Sequence, residues 1–442
     1  MYDLLIENCD ILHCKQGRFW VDLKQNIAIS GQRISQIQSV GSDAPLAALE
    51  SINAPGLLAI PGLMNTHAHV PMVLFRGMVE DVSVATWFND YIWPMEVNLT
   101  PEDVYWGALL GCAEMIAAGV TSVADHYFSM DQVARAVSES GIRANLAWAA
   151  FGHEGIAKLD QTSQFVADWH GKADGRISAW LGPHAPYTTG PEYLKLAARR
   201  ALEVGTGVHI HVSETSAQVA QSLAEHGITP VRMLEDTGIL EAPTILAHCA
   251  FPTDADLAIL ARRSTGIAHS PKTYLKLGSG VVRLERFRQR NIPVGTATDG
   301  AASSNSLDIL EQLRLLALAQ KHISSDPVEM PVANVLEIAF EGSARVLHMA
   351  DDLGSIEPGK LADIALLRQD GLHLAPRYNP AATLIYSARA SDVDTVICNG
   401  KVLLRNRELQ TLDKDEIKKQ VNSRIERLSQ RVPGTRVAFY PA

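Results

Sequence analysis

From residue 57 to about residue 300 the chain alternates short apolar runs with helical patterns, and this alternation limits the possible folds more than any other feature. Apolar runs of this length are typical of buried strands, and strands that alternate with helices favour a parallel sheet. Eight such strand–helix units fit within roughly 290 residues. We therefore predict an α/β fold with a closed, TIM-like (β/α)8 barrel rather than an open doubly wound sheet.

The two ends of the chain have a different pattern from the middle. Short alternating runs separated by glycines are typical of small β-sheets, and residues 396–402 predict a hairpin that turns at Asn399-Gly400. Near the C-terminus, apolar residues recur on one helical face. The predicted domains are a small β-sandwich built from both chain ends (1–56 and 350–410), the catalytic barrel (57–349), and a C-terminal helix and tail (411–442).

Histidine pairs follow two of the predicted strands. His67 and His69 are two residues apart, so on a strand they face the same side. The second pair is His209 and His211. We take His211 as the metal ligand, because it lies nearer the carboxyl end of its strand, where barrel active sites lie. Together with Asp299 at the end of the last strand, these three histidines would bind one zinc or ferrous ion and leave a position for water.

Two more polar residues at strand ends suggest acid–base chemistry. Glu214 follows His211 by three residues, and His248 ends the next strand. A metal ion lowers the pKa of water, and a nearby carboxylate such as Glu214 can take the proton and pass it on. Any one of these residues could be structural, but a full set at successive strand ends favours a hydrolytic active site.

Composition excludes some classes of partner. A formal net charge of −10 argues against a general nucleic-acid or anionic-membrane binder. The sequence shows no signal peptide and no apolar run of about 18 residues. Its five scattered cysteines are typical of reduced thiols rather than a disulfide framework. We predict a cytoplasmic enzyme that acts on a small molecule.

Several motifs together resemble the amidohydrolase superfamily, specifically its aminohydrolase branch of nucleobase, nucleoside and triazine deaminases. The resemblance implies that His67, His69, His211 and Asp299 hold one divalent metal ion, zinc or alternatively iron, that Glu214 is the proton shuttle, and that the protein is a homo-oligomer. The matching motifs are Pro61-Gly62-Leu63 with His67-Ala68-His69, His211-Val212-Ser213-Glu214-Thr215, Leu246-Ala247-His248-Cys249, Thr298-Asp299-Gly300-Ala301-Ala302-Ser303 and Gly359-Lys360-Leu361-Ala362-Asp363.

The resemblance is to members with one metal ion. No lysine stands at the strand end where binuclear relatives carry a carbamylated one, and Gly182-Pro183-His184 occupies that place. In mononuclear members such a histidine holds the substrate, which is the role implied for His184. The role implied for His248 is to orient the attacking water and the substrate.

Within this branch the chain is most similar to the methylthioadenosine/S-adenosylhomocysteine deaminases, at residues 74–78, 92–96 and 275–280. That likeness implies that Glu96 contacts ribose hydroxyls. Trp148 stands where the subgroup carries an arginine, so we expect an aromatic face there and neutral substrates.

The predicted activity is metal-dependent hydrolytic deamination of an amino-substituted N-heteroaromatic ring, either an adenosine-type nucleoside such as methylthioadenosine or a free nucleobase. The alternative is hydrolysis of a substituted triazine or a cyclic amide by the same mononuclear site.

Overall fold

A computed structural model describes residues 1–42 and 45–432. The strands form two sheets, one from the middle of the chain and one from its two ends. In chain order they are β1 (Tyr2–Lys15), β2 (Arg18–Ser30), β3 (Arg33–Ser39), β4 (Ala48–Asn53), β5 (Leu57–Pro61), β6 (Leu63–His69), β7 (Val120–Tyr127), β8 (Arg143–Ala150), β9 (Ile177–Pro183), β10 (Val208–Val212), β11 (Thr244–His248), β12 (Thr265–His269), β13 (Val294–Thr296), β14 (Asp299–Gly300), β15 (Ile364–Arg368), β16 (Val393–Cys398), β17 (Lys401–Arg405) and β18 (Glu408–Leu409).

Strands β6 to β14 form the predicted barrel. Each pairs in parallel with its neighbour in chain order, from β6 through β13. β13 and β14 are two parts of the last strand: β13 pairs with β12, and β14 pairs with β6, so the sheet closes on itself. Thr66 Oγ1 also donates to the Thr296 carbonyl across the same seam, at 3.0 Å. The (β/α)8 prediction is therefore confirmed.

Helices follow the barrel strands and cover the outside of the barrel. None of the helices within the described residues is long and apolar enough to cross a membrane. The principal ones are Pro101–Ala117, Met130–Ser140, Gly155–Trp169, Pro191–Val204, Ser216–His226, Pro230–Asp236, Asp254–Leu260, Pro271–Leu277, Ile309–Ser324, Val332–Glu337, Pro380–Tyr386 and Lys414–Asn422. Shorter helical segments are Val70–Phe75, Val84–Thr86, Trp87–Ile92, Trp93–Glu96, Gly152–Glu154, Lys172–Gly175, Pro186–Thr189, Ile239–Glu241, Glu285–Arg288, Ala301–Ser304, Ile338–Gly342, Ser343–Val346, Leu372–Leu374, Ala390–Asp392 and Ile425–Leu428.

Both chain ends contribute to the second sheet, as predicted, but the boundary with the barrel differs from the prediction. The apolar run Leu57–Pro61 is a strand, yet it pairs with β1 and β15 in the small sheet, so the barrel begins at Leu63 rather than at residue 57. Gly62 separates the two strands, and its N–H donates to the Asp363 carbonyl of the small sheet at 2.8 Å. A Cβ at Gly62 would collide with Thr121, so only glycine fits where the chain crosses between sheets.

The C-terminal region also differs from a single predicted helix. Helix Lys414–Asn422 ends before a second short helix, Ile425–Leu428. Ile417 and Val421 are buried as expected, whereas Ile425 is 50% exposed. Residues 433–442 of the predicted tail lie outside the described residues.

A buried ion pair joins the barrel to the small sheet. Arg143, at the start of β8, donates through Nε and Nη2 to the two carboxylate oxygens of Asp363, at 3.2 and 3.0 Å. Both side chains are almost fully buried, at 4% and 2% exposure. The Asn399 N–H donates to the same carboxylate at 2.8 Å, so Asp363 also holds the hairpin turn between β16 and β17. Replacing one member of such a pair leaves the other charge buried and unpaired.

We expect Arg143→Met to lower the free energy of unfolding by about 3–5 kcal/mol, because Asp363 loses its only buried cationic partner among the described residues. The matched control is Arg405→Met, since Arg405 pairs with Glu50 on the surface of the same small sheet. That variant should change the free energy of unfolding by no more than about 1 kcal/mol. Urea denaturation measures both; equal losses in the two variants would contradict the role given to the buried pair.

Candidate active site

The predicted ligand residues meet at the carboxyl end of the barrel. His67 and His69 end β6, His211 lies near the end of β10, and Asp299 begins β14. His69 Nε2 lies 3.3 Å from His211 Nε2 and 3.3 Å from Asp299 Oδ1. His67 Nε2 lies 3.6 Å from the same Asp299 oxygen. Four side chains from three strands thus direct one donor atom each toward a common point.

Hydrogen bonds on the opposite ring nitrogens fix how the three imidazoles are oriented. His69 Nδ1 lies 2.5 Å from the His126 carbonyl, and His211 Nδ1 lies 2.9 Å from the His184 carbonyl. A carbonyl oxygen only accepts, so both Nδ1 atoms carry the proton and both Nε2 atoms present a lone pair. His67 Nδ1 lies 2.9 Å from His209 Nε2, and this contact holds the third ring in place.

This donor set fits a divalent metal ion. Burial lowers the pKa of His67 to about 3, so its ring is neutral at physiological pH. Its Nε2 is buried without a hydrogen-bond partner among the described residues. Lone pairs 3.3 Å apart with no proton between them repel one another unless a cation is present. Ligands 2.0–2.2 Å from a tetrahedrally coordinated zinc ion lie about 3.3–3.6 Å apart, which matches these distances.

The carboxylate of the set is held as an anion. Burial raises the pKa of Asp299, but the contacts with His67, His69 and His248 hold this pKa well below its usual range. Ser303 Oγ donates to Asp299 Oδ2 at 2.9 Å, which leaves Oδ1 facing the histidines. The backbone of Asp299 is left-handed, with φ 63°, and so is that of His248, with φ 72°. Such strained conformations are concentrated at functional sites.

Glu214 lies beside the ligand set and is positioned by the helix that follows it. Gln218 in the first turn of helix Ser216–His226 accepts from the Glu214 N–H at 3.0 Å and donates to Glu214 Oε2 at 3.3 Å. Thr215 caps the same helix by accepting from the Gln218 N–H at 3.2 Å. Glu214 Oε1 is 3.9 Å from His248 Nε2, so the predicted shuttle and the predicted orienting histidine are neighbours.

His69, His211, Glu214, His248 and Asp299 line one cavity. Its rim is aromatic, and no lysine or arginine is among the described residues that line it. The polar lining residues are His69, Glu96, His126, Tyr127, His184, His211, Glu214, His248 and Asp299, and the apolar ones are Met72, Trp87, Phe88, Trp93, Phe128, Ala149 and Phe151.

Glu96, for which the resemblance implies a contact with ribose hydroxyls, lies in the wall of this cavity. It is 8% exposed, and Tyr127 donates its hydroxyl to Glu96 Oε1 at 2.6 Å. Burial raises the pKa of Glu96 to about 7, while the bond from Tyr127 opposes the increase. The carboxyl can therefore act as a hydrogen-bond donor or acceptor near neutral pH.

His184 also lines the cavity, and its second ring nitrogen faces the lumen as an acceptor. Thr188 Oγ1 donates to the Ala185 carbonyl at 3.1 Å, so it accepts from His184 Nδ1 at 2.9 Å. The proton is then on Nδ1, and Nε2 carries the lone pair. Burial lowers the pKa of His184 to about 3, which keeps the ring neutral.

Trp148 does not line the cavity, although we expected its aromatic face to contact the substrate. Its ring packs edge-on against Phe165 at 5.6 Å, and Lys158 Nζ lies 4.9 Å from its centroid. Trp148 is not among the described residues that line the cavity, whereas Ala149 is. The reason is strand alternation: Ala147 packs inside the barrel, so the next side chain points outward to helix Gly155–Trp169.

Several lining residues were not predicted from the sequence. His126 lies one residue before the end of β7 and lines the cavity, and the same strand-end rule that found His211 would have found it. Trp87, Phe88 and Trp93 come from a connection after β6 that has no regular period, so the sequence carries no comparable signal for them.

Comparison with known proteins gives close matches along nearly the whole chain. A model of the amidohydrolase family matches residues 58–403. A 5-methylthioadenosine/S-adenosylhomocysteine deaminase from Desulforudis audaxviator is 43% identical over 432 residues, covering 97% of this chain and 100% of that protein.

Solved structures match equally well in fold. An adenosine deaminase from Xanthomonas campestris with bound zinc has a TM-score of 0.91 and 29% identity, covering 97% of this chain and 98% of that one. An atrazine chlorohydrolase from Arthrobacter aurescens complexed with zinc has a TM-score of 0.85 and 26% identity, covering 96% and 100%.

We expect His209→Leu to weaken metal binding about 10- to 100-fold, because His67 loses the partner that orients its ring. The matched control is His269→Leu, a fully buried barrel histidine that pairs with Tyr274 instead. Chelator competition followed by elemental analysis gives the affinity of each variant. Equal affinities for His209→Leu and wild type would show that His209 does not orient a ligand.

Proposed function

This chain belongs to the amidohydrolase family and is a hydrolytic deaminase of an amino-substituted N-heteroaromatic ring, and we propose that it acts on neutral adenosine-type nucleosides with one bound divalent metal ion. The observation that carries the proposal is the convergence of three imidazole lone pairs and the Asp299 carboxylate beside Glu214. This arrangement is suited to hydrolysis at a carbon between two nitrogens.

The metal ion proposed for this site is a single zinc ion, with iron as the alternative. His67, His69, His211 and Asp299 would hold it, and no lysine is among the described residues that line the cavity. Imidazole and carboxylate ligands suit both metals. Zinc in the two similar solved structures supports the first choice.

The proton path follows from the positions of the chain's own acid–base groups. When bound, a divalent ion supplies Lewis-acid chemistry that makes water a stronger acid. Glu214 then takes the proton of the attacking water and delivers it to a ring nitrogen of the substrate. It next takes the second proton, from the hydroxyl now on the ring carbon, and delivers it to the departing amine, so that ammonia leaves and the ring carbonyl forms. His248 lies 3.9 Å from Glu214, where it orients water and substrate, and His184 accepts a hydrogen bond from the substrate.

The substrate proposed is neutral because the cavity offers no cation to a charged tail. Lys272 and Arg76, which are not among the described lining residues, are already paired with other carboxylates: Lys272 with Glu311 at 2.7 Å, and Arg76 with Glu114. A carboxylate buried among aromatic rings without a cationic partner is costly. We therefore still predict a neutral substrate. The reason is that the described lining residues include no lysine or arginine, rather than the position of Trp148.

Hydrolysis of a substituted triazine is the second candidate, since the atrazine chlorohydrolase covers 96% of this chain in fold. The pair of Glu96 and Tyr127 favours the nucleoside, because a buried carboxyl beside a phenol suits the hydroxyls of a ribose. A triazine offers no hydroxyl to it. An ammonia-release assay with both substrate classes separates the two.

The predicted cytoplasmic location and homo-oligomeric state stay predictions. Cell fractionation tests the first, and sedimentation of the purified protein tests the second.

We expect Glu214→Gln to lower kcat about 10²- to 10⁴-fold while leaving the metal content unchanged, because an amide cannot relay the proton. Glu225→Gln is the matched control, since Glu225 is an exposed glutamate in the helix that follows. Ammonia release and elemental analysis are measured on both. A Glu214→Gln enzyme with more than about a tenth of wild-type activity would mean that another group moves the proton.

We also expect methylthioadenosine and adenosine to exceed S-adenosylhomocysteine in kcat/KM by about tenfold or more, because the amino-acid tail of the latter finds no cationic partner. Steady-state kinetics followed by ultraviolet absorbance give the three values. The first and third substrates share the thioether and differ in the tail, so their ratio isolates its effect. A preference for S-adenosylhomocysteine would refute the neutral-substrate proposal.

A further inference from the structure

One wall of the cavity comes from a connection rather than from a barrel strand. Residues 87–98, which we call the cavity segment, contribute Trp87, Phe88, Trp93 and Glu96 to the lining. Its first half is a π-helix, Trp87–Ile92, a conformation that often occurs at functional sites. Tyr127 of β7 holds Glu96 on the cavity side of this segment, and the position of the segment also depends on what packs on its outer side.

The end of the described chain lies on that outer side. Residues 424–432, which we call the C-terminal strap, contact the cavity segment at four points. Two bonds involve Asn98: its Nδ2 donates to the Gln430 carbonyl at 2.6 Å, and its carbonyl accepts from Arg427 Nη1 at 2.7 Å. The Val432 N–H donates to the Pro94 carbonyl at 3.0 Å. Arg431 Nη1 donates to the Asp90 carbonyl at 3.3 Å. The Arg431 guanidinium also lies 4.6 Å from the centre of the Tyr91 ring.

The strap is itself fastened to the barrel wall by a buried carboxylate. Asp103 is 1% exposed and caps helix Pro101–Ala117 by accepting from the Thr100 N–H at 2.7 Å. Its other carboxylate oxygen accepts a hydrogen bond from Arg427 Nη2 at 2.5 Å and lies 3.1 Å from Arg424 Nε. Arg427 therefore bridges the start of a barrel helix and the end of the cavity segment with one planar group, which a lysine cannot do.

We propose that Arg427 and the C-terminal strap are positioning elements for substrate binding: they hold residues 87–98 in the place where Trp87, Phe88, Trp93 and Glu96 enclose the substrate. The strap touches no group of the candidate metal site, so its effect is on binding rather than on the chemical step. Only the kinetic part of this inference rests on the proposed function.

The test compares Arg427→Ala with wild type. We expect KM for methylthioadenosine to rise about 5- to 50-fold with kcat changed less than about threefold, because the bonds lost hold the binding wall and not Glu214. Hydrogen exchange followed by mass spectrometry should show faster exchange in residues 87–98 and unchanged exchange in β6 and β10. Arg427→Lys should keep the ion pair with Asp103 but recover KM only in part.

Two further variants keep the result decisive. Asn98→Ala removes the bond to Gln430 from the other side and should reproduce the rise in KM without touching Asp103. Lys419→Ala, an exposed residue of helix Lys414–Asn422 paired with Glu416 in its own helix, should behave as wild type.

Unchanged KM and unchanged exchange in residues 87–98 for both Arg427→Ala and Asn98→Ala would overturn the inference. A lower melting temperature alone, with those two readouts unmoved, would overturn it as well, since the strap would then only stabilise the fold. Wild-type enzyme that deaminates none of the nucleosides would instead reject the proposed function, and the exchange experiment would still decide the strap.

Discussion

The active site depends on three hydrogen bonds made by the histidine ring nitrogens that face away from the candidate metal site. The Nδ1 atoms of His69, His211 and His67 bond to the carbonyls of His126 and His184 and to the His209 ring, and only then do the three Nε2 lone pairs converge. The His126 carbonyl belongs to β7, next to β6, and the His184 carbonyl comes directly after β9, next to β10. The parallel pairing of the barrel strands therefore sets the ring orientations, and the pairing of β14 with β6 places Asp299 beside the histidines.

How much of this could be predicted depended on whether a residue lay on a regular strand. The convergence of the candidate ligands was predictable because alternation and strand ends place His67, His69 and His211 on one side. The same alternation, applied to the strand containing Trp148, would have turned that side chain outward, since Ala147 and Ala149 face the interior. The aromatic rim was not predictable, because its connection has no period and tertiary contacts alone fix it.

The charged side chains that line the cavity within the described residues include carboxyls but no lysine or arginine. Glu96, Glu214 and Asp299 are carboxyls, and no described lining residue is a lysine or arginine. Burial raises the pKa of Glu96 to about 7, which removes part of its negative charge at neutral pH. The remaining imbalance favours a bound cation and a neutral substrate together, so metal binding and substrate choice follow from the same electrostatic field.

The shared small sheet has a consequence for synthesis of the protein. β5 precedes the first ligand strand, yet its partner β15 lies some three hundred residues later, with Leu58 opposite Leu367. A nascent chain that ends after the barrel has every candidate metal ligand but lacks Asp363, so the Arg143 guanidinium has no counter-ion. Ribosomes must therefore synthesise nearly the whole polypeptide before β5, which can already pair with β1, gains its second partner, and until then that edge of β5 is open to chaperones and to other nascent chains.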